Sequence, residues 1–197
     1  MEMSRRVGLL GGTFDPPHLG HLVVAECVRV ELALDEVRFL VAGQPWMKSG
    51  TTPAAMRIEL AEAAVLDDVN LLVDPRETER EGATYTADTL EELSAEEPEI
   101  AWHFILGVDA ASALPRWERG DVALSLATFV VVSRPGHDLD LPVDLATQLS
   151  EVEVPHIDVS STDLRRRYRD GRATRYLVPP AVDRLIVEHG LYGAAHG

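Results

Sequence analysis

Gly11-Gly12-Thr13-Phe14-Asp15-Pro16-Pro17-His18-Leu19-Gly20-His21 separates a short apolar run, Arg6–Leu10, from a stretch of helical period, Leu19–Leu34. A strand, a glycine-rich turn and a helix in that order open a βα unit. The turn is neither the G-x-G-x-x-G fingerprint nor a P-loop with its Gly-Lys-Ser/Thr ending. It follows the same physics. Glycine lets the backbone approach an anion closely. The following helix then offers free N–H groups and the positive end of its dipole. His18 and His21 share a face if the helix starts near His18. Two imidazoles there can donate hydrogen bonds to phosphate oxygens and stabilise charge that develops on them during transfer. Gly20 between them leaves room for a ligand. Surface or core residence is the bland reading of such a pair. A metal pair is a third, but no Cys or carboxylate completes a set nearby at ordinary ligand spacing.

Outward from this unit, short apolar runs alternate with helical periods. Strands are expected at Val37–Ala42, Val69–Val73, Ala101–Gly107, Thr128–Ser133 and Val152–Val154. Helices are expected at Pro53–Asp67, with Thr52 as cap and Pro53 in first position, and at Thr86–Glu97, Ser161–Arg169 and Pro180–Glu188. On the first helix, Leu22, Val23, Cys27, Val30 and Leu34 read as the buried face. The alternation predicts an α/β fold, a doubly wound, mostly parallel sheet covered on both faces. Such sheets bind ligands beyond the carboxyl ends of their strands. We read residues 1–197 as one domain with a small C-terminal helical part, about 156–192. Arg134–Leu149 reads as a surface connection, and the tail from Gly193 as frayed.

Composition narrows the function. The net charge of the 197 residues is −15, whereas nonspecific nucleic-acid binding needs a basic surface. Nucleic acid is therefore not an expected partner. Any anionic ligand must be met by cations gathered locally. There are 17 Arg and a single Lys, Lys48, and six of the arginines cluster at Arg165, Arg166, Arg167, Arg169, Arg172 and Arg175. Cys27 is the sole cysteine, which excludes an intrachain disulfide and fits a reducing compartment. No apolar run approaches the roughly 18 residues of a membrane span, and the apolar stretch after Arg5 and Arg6 is too short for a signal peptide. A cytoplasmic protein without a membrane partner is expected.

A second segment, Val159-Ser160-Ser161-Thr162-Asp163-Leu164-Arg165, combines preferred N-cap residues with an acid in the first helical turn. It reads either as a well-capped structural helix or as another helix start aimed at phosphates, with Arg165 as clamp. With this segment beside the first, the chain resembles the nucleotidylyltransferase superfamily and its H-x-G-H motif. Within that superfamily it is similar to the bacterial nicotinate-nucleotide adenylyltransferases. Thr84-Tyr85-Thr86-Ala87-Asp88-Thr89-Leu90 resembles their Ser-Tyr-Thr-x-Asp-Thr segment. Phe104-Ile105-Leu106-Gly107-Val108-Asp109 resembles their Gly-Ala-Asp strand end. Trp117 and Ser133-Arg134-Pro135-Gly136 also fit. The resemblance spans about residues 5 to 192. The chain departs at Gln44-Pro45-Trp46-Met47-Lys48, where the family often has Pro-Pro-His-Lys.

The resemblance implies a Rossmann-like fold and adenylyl transfer from ATP to nicotinate mononucleotide, giving deamido-NAD and pyrophosphate. It implies catalytic roles for His18, His21, Lys48 and Arg165. It implies ATP binding by Gly11, Gly12, Thr13, Phe14, His18, His21, Gly107, Asp109, Ser160, Ser161, Thr162 and Arg165. Asp15, Lys48, Tyr85, Thr86 and Trp117 are the residues it implies for the mononucleotide, with Trp117 stacked on the pyridine ring. Packing in the core is the alternative for Trp117, a helix cap for Asp109, and plain loop exposure for Lys48. No protein-held metal is expected; Mg²⁺ would be bound through substrate phosphates. Two alternatives are a sibling enzyme using nicotinamide mononucleotide and an idle nucleotide-binding module. The residues leave homo-oligomerisation open.

Overall fold

The computed structural model describes residues 4–43, 51–133 and 146–194. The strands are β1 (Arg6–Gly12), β2 (Glu36–Val41), β3 (Leu71–Asp74), β4 (Ala101–Gly107), β5 (Thr128–Ser133) and β6 (Leu149–Glu153). The helices are α1 (Leu19–Glu31), α2 (Ala54–Val65), α3 (Thr86–Glu96), α4 (Val108–Ala113), α5 (Gly120–Leu126), α6 (Ser161–Arg169) and α7 (Pro180–Glu188). The strands form one sheet in the order β3-β2-β1-β4-β5-β6, and every neighbouring pair is parallel. The chain winds outward from β1 to β3, returns to β4 on the other side of β1, and winds outward again. The switch point lies between β1 and β4, where the glycine-histidine motif leaves the sheet. This is the doubly wound fold expected from the alternation.

The pleat explains the layers. On β4, Trp102, Phe104 and Leu106 face the cluster under α3, α4 and α5, while Ile105 faces the one under α1 and α2. Phe129 and Val131 divide from Val130 in the same way on β5. A third cluster joins Leu60 and Ala64 of α2 to Leu164 and Tyr168 of α6 and Val182 and Ile186 of α7. The C-terminal helices therefore share apolar core with α2.

Several expectations are corrected. Gly11 and Gly12 are not a turn but the end of β1, paired with Leu40 and Val41; the turn proper is Thr13–Pro17, with a cis Asp15–Pro16 bond. Pro53 is the N-cap of α2 rather than its first residue, because Thr52 is held outside the helix: its N–H donates to Asp15 and its carbonyl accepts from Arg57. β3 starts at Leu71, since Val69 is exposed. On α1 the fully buried residues are Ala25 and Val28, and Val30 is exposed. That helix carries apolar residues on several faces, so periodicity alone could not choose one. Sequence reading missed α4 and α5 altogether; both are under eight residues and carry little period. Of the tail expected to fray, Gly193 ends the 3₁₀ turn Leu191–Gly193, and residues 195–197 lie outside the described residues. Most of the expected surface connection, 134–145, lies outside the described residues, and Leu149 already belongs to β6.

Leu164 is fully buried between α2 and α7. Leu164→Ala should cost about 2–5 kcal/mol, and urea unfolding should remain one transition. A separate early transition, followed by circular dichroism, would show that the C-terminal helices are an independent domain.

Candidate active site

A cleft of about 1010 Å³ opens beyond the carboxyl ends of β1 and β4. Gly11, His18, His21, Gly107, Asp109 and Trp117 all line it, as do Thr86 and Val159. Gly12 lines it as well, but the space a Cβ there would need is filled by the Phe14 ring, 2.8 Å away. Gly107 differs: a Cβ there would meet nothing within 4 Å, so the space over it is free for a ligand.

His18 is the N-cap of α1 and His21 lies one turn in. Their rings stack with centroids 3.7 Å apart. The His18 backbone N–H donates to His21 Nδ1 at 3.1 Å; a neutral His21 therefore carries its proton on Nε2. His18 is buried, and burial holds its pKa down at about 4. Two imidazolium ions stacked this closely would also repel. Around neutral pH His18 is therefore an uncharged imidazole. Its Nδ1 is buried without a hydrogen-bond partner, against the general rule for buried polar atoms. Gly20 was expected to leave room for a ligand. Its Cβ would lie 3.0 Å from that nitrogen, so the room is taken by His18. Phe14, at φ 49°, is 1% exposed and stands edge-on behind His21 at 5.1 Å. Any contact it makes with a nucleotide is through its backbone.

The second motif meets the first directly. Ser161 Oγ donates to the Pro16 carbonyl at 2.8 Å, and Arg165 Nη1 to the Asp15 carbonyl at 2.7 Å. Arg165 Nη2 reaches Thr162 Oγ1 at 3.3 Å. Ser160 caps α6, accepting from the Asp163 N–H. Val159 lines the cleft beside the histidines, whereas Ser160, Ser161, Thr162 and Arg165 stand at its edge around the Asp15–Pro16 turn. Arg166 and Arg167 pair with Asp163.

Asp15 is buried, with both carboxylate oxygens engaged. Tyr192 donates to Oδ1 at 2.7 Å and the Thr52 N–H to Oδ2 at 3.2 Å. Tyr192 was not singled out from sequence, and nothing local marks a tyrosine near the C-terminus as a partner of residue 15. Arg57 was missed for a different reason: in sequence it looks like an ordinary helix arginine. It is 1% exposed and donates to four carbonyls, those of Thr13 (3.1 Å), Ala42 (2.7 Å), Gly43 (2.8 Å) and Thr52 (3.0 Å). It ties the ends of β1 and β2 to the start of α2. Thr13 thus contributes its carbonyl to this framework. Lys48 lies outside the described residues.

At the far end of the cleft, Trp117 is half-buried, with T-shaped contacts to Phe104 and Phe129 at 6.1 and 6.2 Å. It packs on the core, the alternative reading, and also lines the cleft. Asp109 is exposed in the first turn of α4, and Tyr85 is the exposed N-cap of α3. No side chain caps α3, so its first N–H groups stay available where Thr86 meets the cleft.

The model of the cytidylyltransferase-like family matches residues 9–167. The chain is 44% identical over 188 residues to a probable nicotinate-nucleotide adenylyltransferase of Exiguobacterium sibiricum, covering 95% of this chain and 98% of the relative. One from Leifsonia xyli subsp. xyli is 43% identical over 192 residues, with 97% and 96% covered. The chain belongs to the nicotinate-nucleotide adenylyltransferase family. The fold agrees with that of the Plasmodium falciparum nicotinic acid mononucleotide adenylyltransferase solved in complex with NaAD. That match has a TM-score of 0.78 at 16% identity, over 98% of this chain and 100% of the other.

In this member of the family the buried His18 couples site and stability. Its folded pKa of about 4 lies below the ordinary 6.5. The unfolded chain therefore takes up the proton first as pH falls, and stability present above pH 6.5 is lost towards pH 4. From pH 7 to pH 5 the wild type should lose about 2 kcal/mol more than His18→Gln, read from urea midpoints. Parallel losses in the two proteins would contradict a buried neutral imidazole.

Proposed function

We propose that this cleft transfers the adenylyl group of ATP to nicotinate mononucleotide, releasing pyrophosphate and forming deamido-NAD. One observation carries the reading: the histidine pair and the start of α6, from opposite ends of the chain, meet on one turn at the mouth of a cleft that Trp117 and the open end of α3 line farther on. Relatives over 40% identical along nearly the whole chain carry the same activity in their names.

The nucleophile is the acceptor's own 5′-phosphate, already ionised at neutral pH. It attacks the α-phosphorus in line with the departing pyrophosphate. No protein base or nucleophile is needed, so catalysis reduces to positioning and charge stabilisation. His18 and His21 donate to the oxygens of the pentacoordinate phosphorus. A neutral imidazole donates one hydrogen bond, and the approach of a polyanion raises its proton affinity. The N-termini of α1 and α6 add oriented N–H groups. Arg165 and Lys48 hold the leaving pyrophosphate. Arg165 has five N–H donors and spends only two of them on Asp15 and Thr162. Asp109 accepts from the ribose hydroxyls. Trp117 stacks on the pyridine ring, and the first N–H groups of α3, at Tyr85 and Thr86, take its carboxylate. Among the described residues no cluster of three ligating side chains could hold a metal ion. Mg²⁺ would enter on the substrate phosphates, whose charge it would neutralise.

Pyrophosphate release from ATP, tested with each candidate acceptor, is the deciding assay. Nicotinate mononucleotide should outperform nicotinamide mononucleotide and phosphopantetheine; silence with all of them would favour an idle nucleotide-binding module. His18→Ala should lower kcat on the order of 10²–10³-fold while leaving KM little changed; near wild-type kcat removes His18 from the reaction. Trp117→Ala should raise KM for the mononucleotide and spare that for ATP, and equal losses for both would contradict stacking.

A further inference from the structure

Glu77 sits in the 3₁₀ turn Arg76–Thr78 that follows β3, lines the cleft, and is 8% exposed. A carboxyl group so deeply buried needs hydrogen-bond partners. Its Oε1 accepts from the Thr89 hydroxyl at 2.9 Å. The direction of that bond is set by a third side chain. Arg80 Nη1 donates to the same Thr89 oxygen at 2.8 Å, so the Thr89 proton has to point at Glu77. Arg80 is held in turn by Glu92 of α3. Burial pushes the Glu77 pKa up, while Thr89, Arg80 and the Thr84 hydroxyl oppose that rise.

The other side of Glu77 is closed by backbone. A Cβ on Gly43 would lie 2.2 Å from the Glu77 carbonyl oxygen and 3.0 Å from Thr84 Cγ2. The exit of β2, the turn after β3 and the entry to α3 therefore converge on this residue. Thr89 is fully buried one turn into α3, so its bond to Glu77 fixes that first turn against the turn after β3. Thr84 leads into Tyr85 and Thr86, whose N–H groups open the helix toward the cleft. None of Glu77, Arg80 and Thr89 has a part in the chemistry described above.

We propose that Glu77 and Thr89 are positioning residues for the acceptor end of the cleft: their hydrogen bond holds the Thr84–Thr86 entry to α3 so that its open N–H groups meet the acceptor's carboxylate. This rests on the adenylyl-transfer reading. A buried hydrogen bond that places a second, charge-assisted contact is strong enough to set affinity. Its loss reaches one substrate only, because the residues assigned to ATP come from β1, α1, the β4–α4 junction and α6, and none from α3.

The test is steady-state pyrophosphate release by the full chain and its Glu77→Leu, Glu77→Gln, Thr89→Val and Thr89→Ser variants. Glu77→Leu and Thr89→Val should raise KM for nicotinate mononucleotide on the order of tenfold, with KM for ATP and kcat within about threefold. Glu77→Gln keeps an oxygen for the Thr89 proton and Thr89→Ser keeps the hydroxyl; both should restore near wild-type KM. Equal shifts for both substrates, no shift, or a glutamine variant as impaired as leucine would each overturn the proposal. Should Glu77→Leu fail to fold by circular dichroism, the Thr89→Val and Thr89→Ser pair decides. Calorimetric titration of nicotinate mononucleotide into the same proteins reads the positioning without turnover. If the wild type releases no pyrophosphate with any acceptor, the adenylyl-transfer reading fails. A Val-to-Ser difference in that titration would still uphold the positioning role, and its absence would end it.

Discussion

The structure depends on how the turn Asp15–Pro17 is held. A short polar turn between a strand and a helix has few contacts of its own. Here three donors from the last third of the chain reach it: Ser161 Oγ, Arg165 Nη1 and Tyr192 Oη. Inside, Arg57 grips the Thr13 carbonyl just before it. The turn is thereby fixed from both sides, and His18 and His21, which follow at once, inherit that rigidity. Preorganised donors stabilise developing charge because they need not reorganise during reaction. A segment that begins nearly 150 residues later thus holds the turn from which the histidine pair follows.

This arrangement also explains how a chain of net charge −15 can bind a triphosphate. Its long-range field opposes the ligand, so attraction has to be local. The proposed sources are helix N-termini, uncharged ring donors and anchored guanidinium groups such as Arg165 rather than a basic surface. His18 fits this pattern. Burial keeps it uncharged at rest. Many of the arginines are spent inside the fold. Arg38 bridges Glu36 and Glu97, Arg76 bridges Asp74, Glu92 and Glu96, and Arg57 is surrounded by carbonyls. The basic cluster of 165–175 is partly of this kind too, through the pairing of Arg166 and Arg167 with Asp163. Counting charges therefore locates no site in this protein; geometry does.

Much of the fold was legible because its signals are local. β4 and β5 read correctly because both faces of a parallel strand are buried, leaving short continuous apolar runs. α6 and α7 were recognisable from a serine cap or a proline at the start, and α3 as a helical, acidic stretch. The elements that escaped have weak local signals. α4 and α5 are too short to show a period, and Gly11–Gly12 looks like a turn until its pairing with β2 is seen. Among the residues lining the cleft, His18 and His21 stood out by type and spacing, and Trp117 through the resemblance. Arg57, Glu77 and Tyr192 did not, because what distinguishes them is their partners, and the partners lie far away in sequence or on the backbone.

By itself, then, the order of residues determined the alternation of strands and helices, the parallel winding that follows from it, and the presence of two segments suited to phosphate. Those properties arise from period, capping and turn chemistry, which act within a dozen residues. Only the folded chain decided that the two segments share one turn, that His18 is buried and uncharged, and that Asp15 is bound by Tyr192 rather than left open. Burial and hydrogen-bond partnership are relations between distant parts of the chain, and they exist only once the sheet has brought those parts together.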